Sequence, residues 1–385
     1  MPILIPSTSV VAPTESLRLP LNLGLNDGTY APQACVDVLK QFADRTSFRN
    51  YSNASHDELR HALAKIDDVD SENIFLHNGT GPILKLAIPF LVRQRILASP
   101  VRIARHLLSG NGYPLITPSL TYSKIPRKAK EAGLRVHFLP LSPTSGFQLD
   151  LDRLESTLKQ HPGVVYLVNP NNPTGNILIL REQLIRLLER YPQSRFWIDE
   201  AYVQYLDPRE FPNFSNLVPR FSNLLVSRSF SFAYGLAAAR IGYLLASKSF
   251  VRELESKLTD YRLGSVQEQL ALAAIHDAEH LSFIRETNTQ AVNYLRTEIN
   301  KFPGLETAPS HANFVLCRFT DSRTGAWLSK QLLDRQIRIK TFEAHGSLRF
   351  DSYFRITTGL PEENRYLVEQ LKQLLHPSTL PGPSI

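Results

Sequence analysis

Residues 163–175 read GVVYLVNPNNPTG and residues 194–202 read SRFWIDEAY, and the fold follows from how these two stretches are built. In each, a short run rich in β-branched and aromatic residues gives way to polar or turn-forming residues. This is the pattern of a strand buried on both faces and followed by its loop. Asn169 to Gly175 therefore sits at the carboxyl end of one strand, with Asp199 and Tyr202 at the end of the next. Similar runs recur as NIFLHNG, YPLITPS, LRVHFLPL, NLLVSRSF and RIGYLLAS, and helix-periodic segments separate several of them. In the segment from Arg181, Leu184, Leu187 and Leu188 fall at i, i+3 and i+4 on one face. The alternation predicts an α/β protein whose mostly parallel sheet is flanked by helices, with ligands at the carboxyl ends of the strands.

At 385 residues the chain exceeds the size at which one hydrophobic core stops growing, so two lobes are expected. The last hundred residues mix the helical segments FIRETNTQAVNYLRTEIN, WLSKQLLDRQ and ENRYLVEQLKQLL with the strand-like ANFVLCRF, RIKTF and YFRITTG. These predict a smaller α+β domain over 286–385, a large domain over 46–285, and an N-terminal arm over 1–45 that packs on the small domain.

The bulk properties exclude several classes. No stretch approaches the roughly 18 uninterrupted apolar residues of a membrane span, and the start, MPILIPSTSVVAPTES, lacks a secretory pattern, so a cytoplasmic location is expected. Cys35 and Cys317 carry no metal-ligand or CxxC spacing, which points to reduced thiols and no metal site. The net charge of +7 is not accompanied by RNP-like aromatics, zinc spacings or a basic tail, so nucleic acid is not the expected partner. Part of the excess is local: between Ile83 and Lys130 there is no acidic residue, while Arg93, Arg95, Arg102, Arg105, Arg127 and Lys128 are present. Such a run is most simply a solvated basic face.

Single motifs have ordinary explanations here. NPNNPTG alone is a turn, Asp199 alone a helix cap, and NGTG at 78–81 a loop entering a helix. Their order is more informative. LNLGLNDG, NYSNASHDELRHALA, NGTGP, PSLTYS, NPNNPTG, IDEAY, ARIGY, ANF and FRITTG follow one another as in the class I/II (fold type I) aminotransferases, and the chain most resembles their histidinol-phosphate aminotransferase branch.

That resemblance implies a pyridoxal phosphate site and assigns its residues. Asn78, Gly79 and Thr80 match the phosphate cradle at a helix start, where backbone N–H groups meet a dianion. Ser229 and Arg240 match the remaining phosphate ligands, and Tyr51 matches the tyrosine that reaches the phosphate from a neighbouring subunit, implying a homodimer. Tyr122 matches the aromatic stacked on the ring, and Asn172 and Tyr202 match the donors to its phenolic oxygen. Asp199 matches the carboxylate that keeps the ring nitrogen protonated. On the substrate side, Arg355 matches the carboxylate clamp, Asn313 lies in the adjoining motif, and Lys340 stands where the histidinol-phosphate branch has an arginine for substrate phosphate.

One position departs from the family. Its Schiff-base lysine is replaced by Phe232, within Ser231, Phe232, Ala233, Tyr234, Gly235. Phenylalanine has no amine, so it makes no covalent link to the cofactor and moves no proton. Lys248 and Lys257, the nearest lysines in sequence, lie beyond the following strand. Charge-assisted hydrogen bonds contribute about 1.5–3 kcal/mol each, so noncovalent retention of the cofactor is the expectation. Three readings follow: an aminotransferase-like enzyme that acts on an amino acid or amine without a lysine base, a catalytically silent homologue serving as a binding or partner subunit, and a scaffold for another anionic ligand.

Overall fold

The computed structural model describes residues 17–43, 49, 55–97, 114–257, 262–343 and 350–375, with the backbone alone for 92–97. The seven strand-like runs form one sheet: β2 (Ile74–His77), β3 (Pro114–Pro118), β4 (Arg135–Leu139), β5 (Val164–Val168), β6 (Arg195–Asp199), β7 (Leu224–Ser229) and β8 (Gly242–Leu245). Their order is β2-β8-β7-β6-β5-β3-β4. Neighbours from β7 across to β4 pair in parallel, and β8 runs antiparallel to both β7 and β2.

The near-continuous apolar character of these strands has a direct cause. Successive side chains point to opposite faces, and helices cover both. Val165, Leu167, Phe196, Ile198, Leu224 and Val226 enter one buried cluster, while Val164, Tyr166, Val168, Trp197 and Leu225 enter the other. The helix predicted from Leu184, Leu187 and Leu188 spans Arg181–Arg190 and buries those three residues.

A second, antiparallel sheet has the order β12 (Lys340–Thr341), β13 (Tyr353–Thr357), β10 (Phe314–Phe319), β9 (Leu305–Thr307). It owns a third hydrophobic cluster drawn from Leu21, Leu23 and residues between Val292 and Leu371. The helix Ala278–Ile299 serves both lobes, because Ile284 packs in the cluster of the large sheet and Val292, Leu295 and Ile299 in the third.

The arm expected over residues 1–45 divides into two parts among its described residues. Strand β1 (Leu21–Asn22) pairs in parallel with β11 (Ile337–Arg338) beside the small sheet. The helix Gln33–Gln41 instead packs on the helix Ser265–His276 of the large lobe, where Cys35 Sγ donates to the Leu270 carbonyl at 3.4 Å. Between them the chain crosses the loop after β7. A Cβ at Gly28 would lie 2.0 Å from the Phe232 carbonyl oxygen, and one at Gly235 would lie 2.1 Å from that of Tyr30. Among the described residues no helix is long and apolar enough to cross a membrane, and no cluster of three or more His, Cys, Asp or Glu could hold a metal ion.

Candidate active site

Four strands deliver the chemistry at one edge of the large sheet. β2 ends at His77, just before Asn78, Gly79 and Thr80, and β5 leads into the loop carrying Asn172. β6 ends at Asp199 and β7 at Ser229. The register brings these ends level, since His77 and Ser229 both pair with Gly242, and Asp199 pairs with Ser227. Because Ser227 and Ser229 lie two apart, they share a face with Asp199.

Asp199 is buried, and its Oδ2 accepts the Tyr166 hydroxyl at 2.5 Å. The Ser227 hydroxyl and the Ala201 amide lie close enough to hold its pKa down. Its Oδ1 is enclosed and has no hydrogen-bond partner among the described residues. Burial pushes the carboxyl up to about 6, against the lowering effect of these donors.

Tyr202 forms the next group. Its hydroxyl accepts from Asn26 Nδ2 at 2.8 Å and Asn172 Nδ2 at 3.0 Å, which leaves its own hydrogen to give. Burial raises this phenol to about 12, so it stays protonated at neutral pH. Asn172 Oδ1 in turn accepts from Arg355 Nη1 at 2.7 Å, and Arg355 Nη2 donates to the Gly24 carbonyl at 2.7 Å. Arg355 lies over the Phe314 ring, its buried Nε lacks a partner among the described residues, and burial lowers its pKa. Asn313 Nδ2 donates to the carbonyls of Asn26 and Asp27, tying the arm to this side of the site. The Phe232 ring stacks on Tyr202 with centroids 4.6 Å apart and planes 16° from parallel.

The loop before the helix Thr80–Leu97 meets Arg240. Gly79 has φ +85°, which favours glycine, and a Cβ there would lie 2.9 Å from Arg240 Nη2 and displace the guanidinium. Arg240 itself has φ +53° and donates to the Ala237 carbonyl. Gln267 Nε2 joins the two segments, donating to Ala239 O at 2.7 Å and to Asn78 Oδ1 at 3.2 Å. A helix start, a left-handed glycine and a guanidinium are together the chemistry that suits an anion.

The family described as Aminotransferase class I and II matches residues 20–371. The chain belongs to that family. The histidinol-phosphate aminotransferase of Geobacillus sp. (strain WCH70) is 33% identical over 360 residues, covering 92% of this chain and 90% of the relative. That of Gluconacetobacter diazotrophicus is 32% identical over 364 residues, covering 92% and 91%. The fold is shared with the histidinol-phosphate aminotransferase of Sinorhizobium meliloti in complex with pyridoxal-5'-phosphate, at a TM-score of 0.78 and 20% identity over 96% of this chain and 99% of that one. L-threonine-O-3-phosphate decarboxylase from Porphyromonas gingivalis shares it too, at a TM-score of 0.72 and 24% identity over 92% and 99%.

For this aminotransferase-family chain the pocket's chemistry fits a pyridoxal phosphate. A protonated ring nitrogen is the donor that Asp199 Oδ1 lacks, and the Tyr202 hydroxyl has a hydrogen to give to a phenolic oxygen. Tyr122 is half-buried and close enough to influence Tyr166 electrostatically. Lys340 is exposed and pairs with Arg355 across β12 and β13, so the two side chains project from one face. Tyr51 lies outside the described residues, as do Arg102 and Arg105 of the basic segment. Arg127 and Lys128 are on the surface, paired with Glu131.

Sequence reading missed Tyr166, Asn26 and Gln267. Tyr166 had the period of a core strand residue, Asn26 lay in the quoted LNLGLNDG without a role, and Gln267 sits on a helix far along the chain. Of the lysines, Lys248 is held by Asp70 and Glu72, and Lys124 Nζ lies 5.9 Å from the Tyr122 ring centroid.

Proposed function

We propose that this chain is an aminotransferase-like enzyme that binds pyridoxal phosphate or pyridoxamine phosphate noncovalently and acts on an amino acid or related amine without a lysine base. The observation that carries the reading is Asp199, one oxygen tied to Tyr166 and the other enclosed without a partner, beside a Tyr202 ring covered by Phe232. A buried, half-satisfied carboxylate costs stability, and a cationic ring nitrogen would satisfy it.

Asp199 holds the ring nitrogen, Tyr202 and Asn172 the phenolic oxygen, and Tyr122 the ring face. Asn78, Gly79, Thr80, Ser229 and Arg240 hold the phosphate, joined by the partner subunit's Tyr51 in a homodimer. When bound, the cofactor supplies an electron-withdrawing ring that takes up the electron pair released at a substrate carbon. Arg355 uses two of its five N–H groups on Asn172 and Gly24, so others remain for a substrate carboxylate. Asn313 orders that side of the pocket, and Lys340 offers a point charge to a further anionic group. Phe232 neither bonds the cofactor nor carries a proton, so the chain's work is to bind, orient and exclude water. The large and small domains, 46–285 and 286–385, enclose the site between them.

Added pyridoxal phosphate is expected to give a visible absorption band that dialysis removes, and borohydride should leave no cofactor on the chain. A reduced adduct on any lysine, Lys124 included, would sink this reading. A catalytically silent partner subunit is the second reading, and the purely aromatic Phe232–Tyr202 stack favours it. A cofactor band unchanged by every amino acid or amine tried would decide for it.

A further inference from the structure

We propose that Tyr166 is the positioning residue that sets how Asp199 meets the ring nitrogen of the cofactor, an inference that rests on the pyridoxal phosphate reading above. Tyr166 pairs with Trp197 across β5 and β6, and Trp197 and Asp199 lie two apart on β6, so all three share one face of the sheet. Ser227, directly opposite Asp199 on β7, shares it as well. Tyr166 is 1% exposed, and its ring sits in the apolar cluster with Val164, Val168 and Trp197. Nothing in that packing calls for a hydroxyl, and a phenylalanine ring has the same shape. The hydroxyl has one partner, Asp199 Oδ2, at 2.5 Å.

That distance is typical of a phenol donating to an ionised carboxylate, a charge-assisted bond stronger than a neutral one. It has two consequences. Holding Oδ2 stops the carboxylate from rotating about its terminal bond, so Oδ1, which has no partner among the described residues, stays presented in one direction. Donating to the charged form also opposes the burial that favours protonation. Trp197 Nε1 donates to Ser227 Oγ at 3.0 Å, and the Ser227 hydroxyl, which lowers the carboxyl's pKa, adds a second support.

The test compares pyridoxal phosphate with 1-deazapyridoxal phosphate, in which a C–H replaces the ring nitrogen, on the full chain and on Tyr166→Phe. Removing a charge-assisted bond is expected to weaken pyridoxal phosphate binding on the order of tenfold, with 1-deazapyridoxal phosphate binding unchanged. The pH below which pyridoxal phosphate affinity falls should move upward in the variant, since the ionised carboxylate has lost a donor. In an Asp199→Asn background Tyr166→Phe should have no ring-nitrogen-specific effect, and this comparison serves even where the single variant is less stable. Equal loss of both ligands on Tyr166→Phe, or an unmoved pH profile, overturns the inference while leaving the functional reading in place. Failure of the unsubstituted chain to bind pyridoxal phosphate overturns both.

Discussion

At the scale of single residues, Phe232 and Asp199 define what this site can do. Phe232→Lys puts an amine at the end of a side chain rooted beside Tyr202, in a pocket whose other polar groups are in place. Borohydride is then expected to fix pyridoxal phosphate to residue 232, detected by peptide mass. Tight binding with no fixation at any pH from 7 to 9 would mean that the loop after β7 presents this position differently from its relatives. Asp199 makes a prediction about pH in the cofactor-free chain. Its folded pKa of about 6 stands above the usual carboxyl value of about 4, so the folded chain holds this proton more tightly than the unfolded one. Its contribution is therefore full below about pH 4 and lost as pH rises through 6, a change of roughly 2–3 kcal/mol. Urea denaturation between pH 4 and 7 should show this slope, and Asp199→Asn should flatten it.

At the scale of elements, the proposed phosphate cradle belongs to a junction rather than to one residue. The end of β2, the start of the helix Thr80–Leu97 and the turn before β8 meet there, and Gly79 and Gly242 are the close-contact points. A Cβ at Gly242 would lie 2.7 Å from the Thr80 nitrogen, and one at Gly79 would press on Arg240. Gly79→Ala combines a strained positive φ with displacement of the guanidinium. Isothermal titration should show pyridoxal phosphate affinity falling by roughly tenfold or more, with pyridoxal, which lacks the phosphate, little affected. Equal effects on both ligands would place the anion site elsewhere.

At the scale of the whole molecule, the arm joins two lobes across the site. Leu21 and Leu23 are in the small lobe's core, Asn26 reaches Tyr202, and Cys35 is in a core of the large lobe. Leu25 is 61% exposed, with Val36 and Leu39 also exposed, so the same arm carries apolar surface outward. Together with the matching of Tyr51 to an intersubunit phosphate contact, this predicts a homodimer. Sedimentation equilibrium at micromolar concentration should return twice the mass of 43.5 kDa. A monomer that still binds cofactor would remove the partner's Tyr51 from the site. Asn26→Ala, which strips one donor from Tyr202, is expected to weaken cofactor binding a few-fold without changing that mass.

The seven strands of the large sheet, and the edge to which the candidate residues come, are legible in the chain alone. A strand buried on both faces is mostly apolar, and the polar residues that close it or follow it, Asp199 and Asn169, mark its carboxyl end. The sequence also showed that position 232 carries a phenylalanine, because side-chain chemistry is written in the chain and needs no geometry. Which residues support the ones with obvious chemistry depended on packing. Tyr166 reads as core until the register places its hydroxyl on Asp199, and Asn26 reads as loop until the arm carries it to Tyr202. The division of the arm, with Gln33–Gln41 on the large lobe, was equally hidden, since an amphipathic helix specifies that one face is buried and not against which partner. Contacts between residues far apart in the chain are set by how faces pack, and periodicity carries no record of that choice.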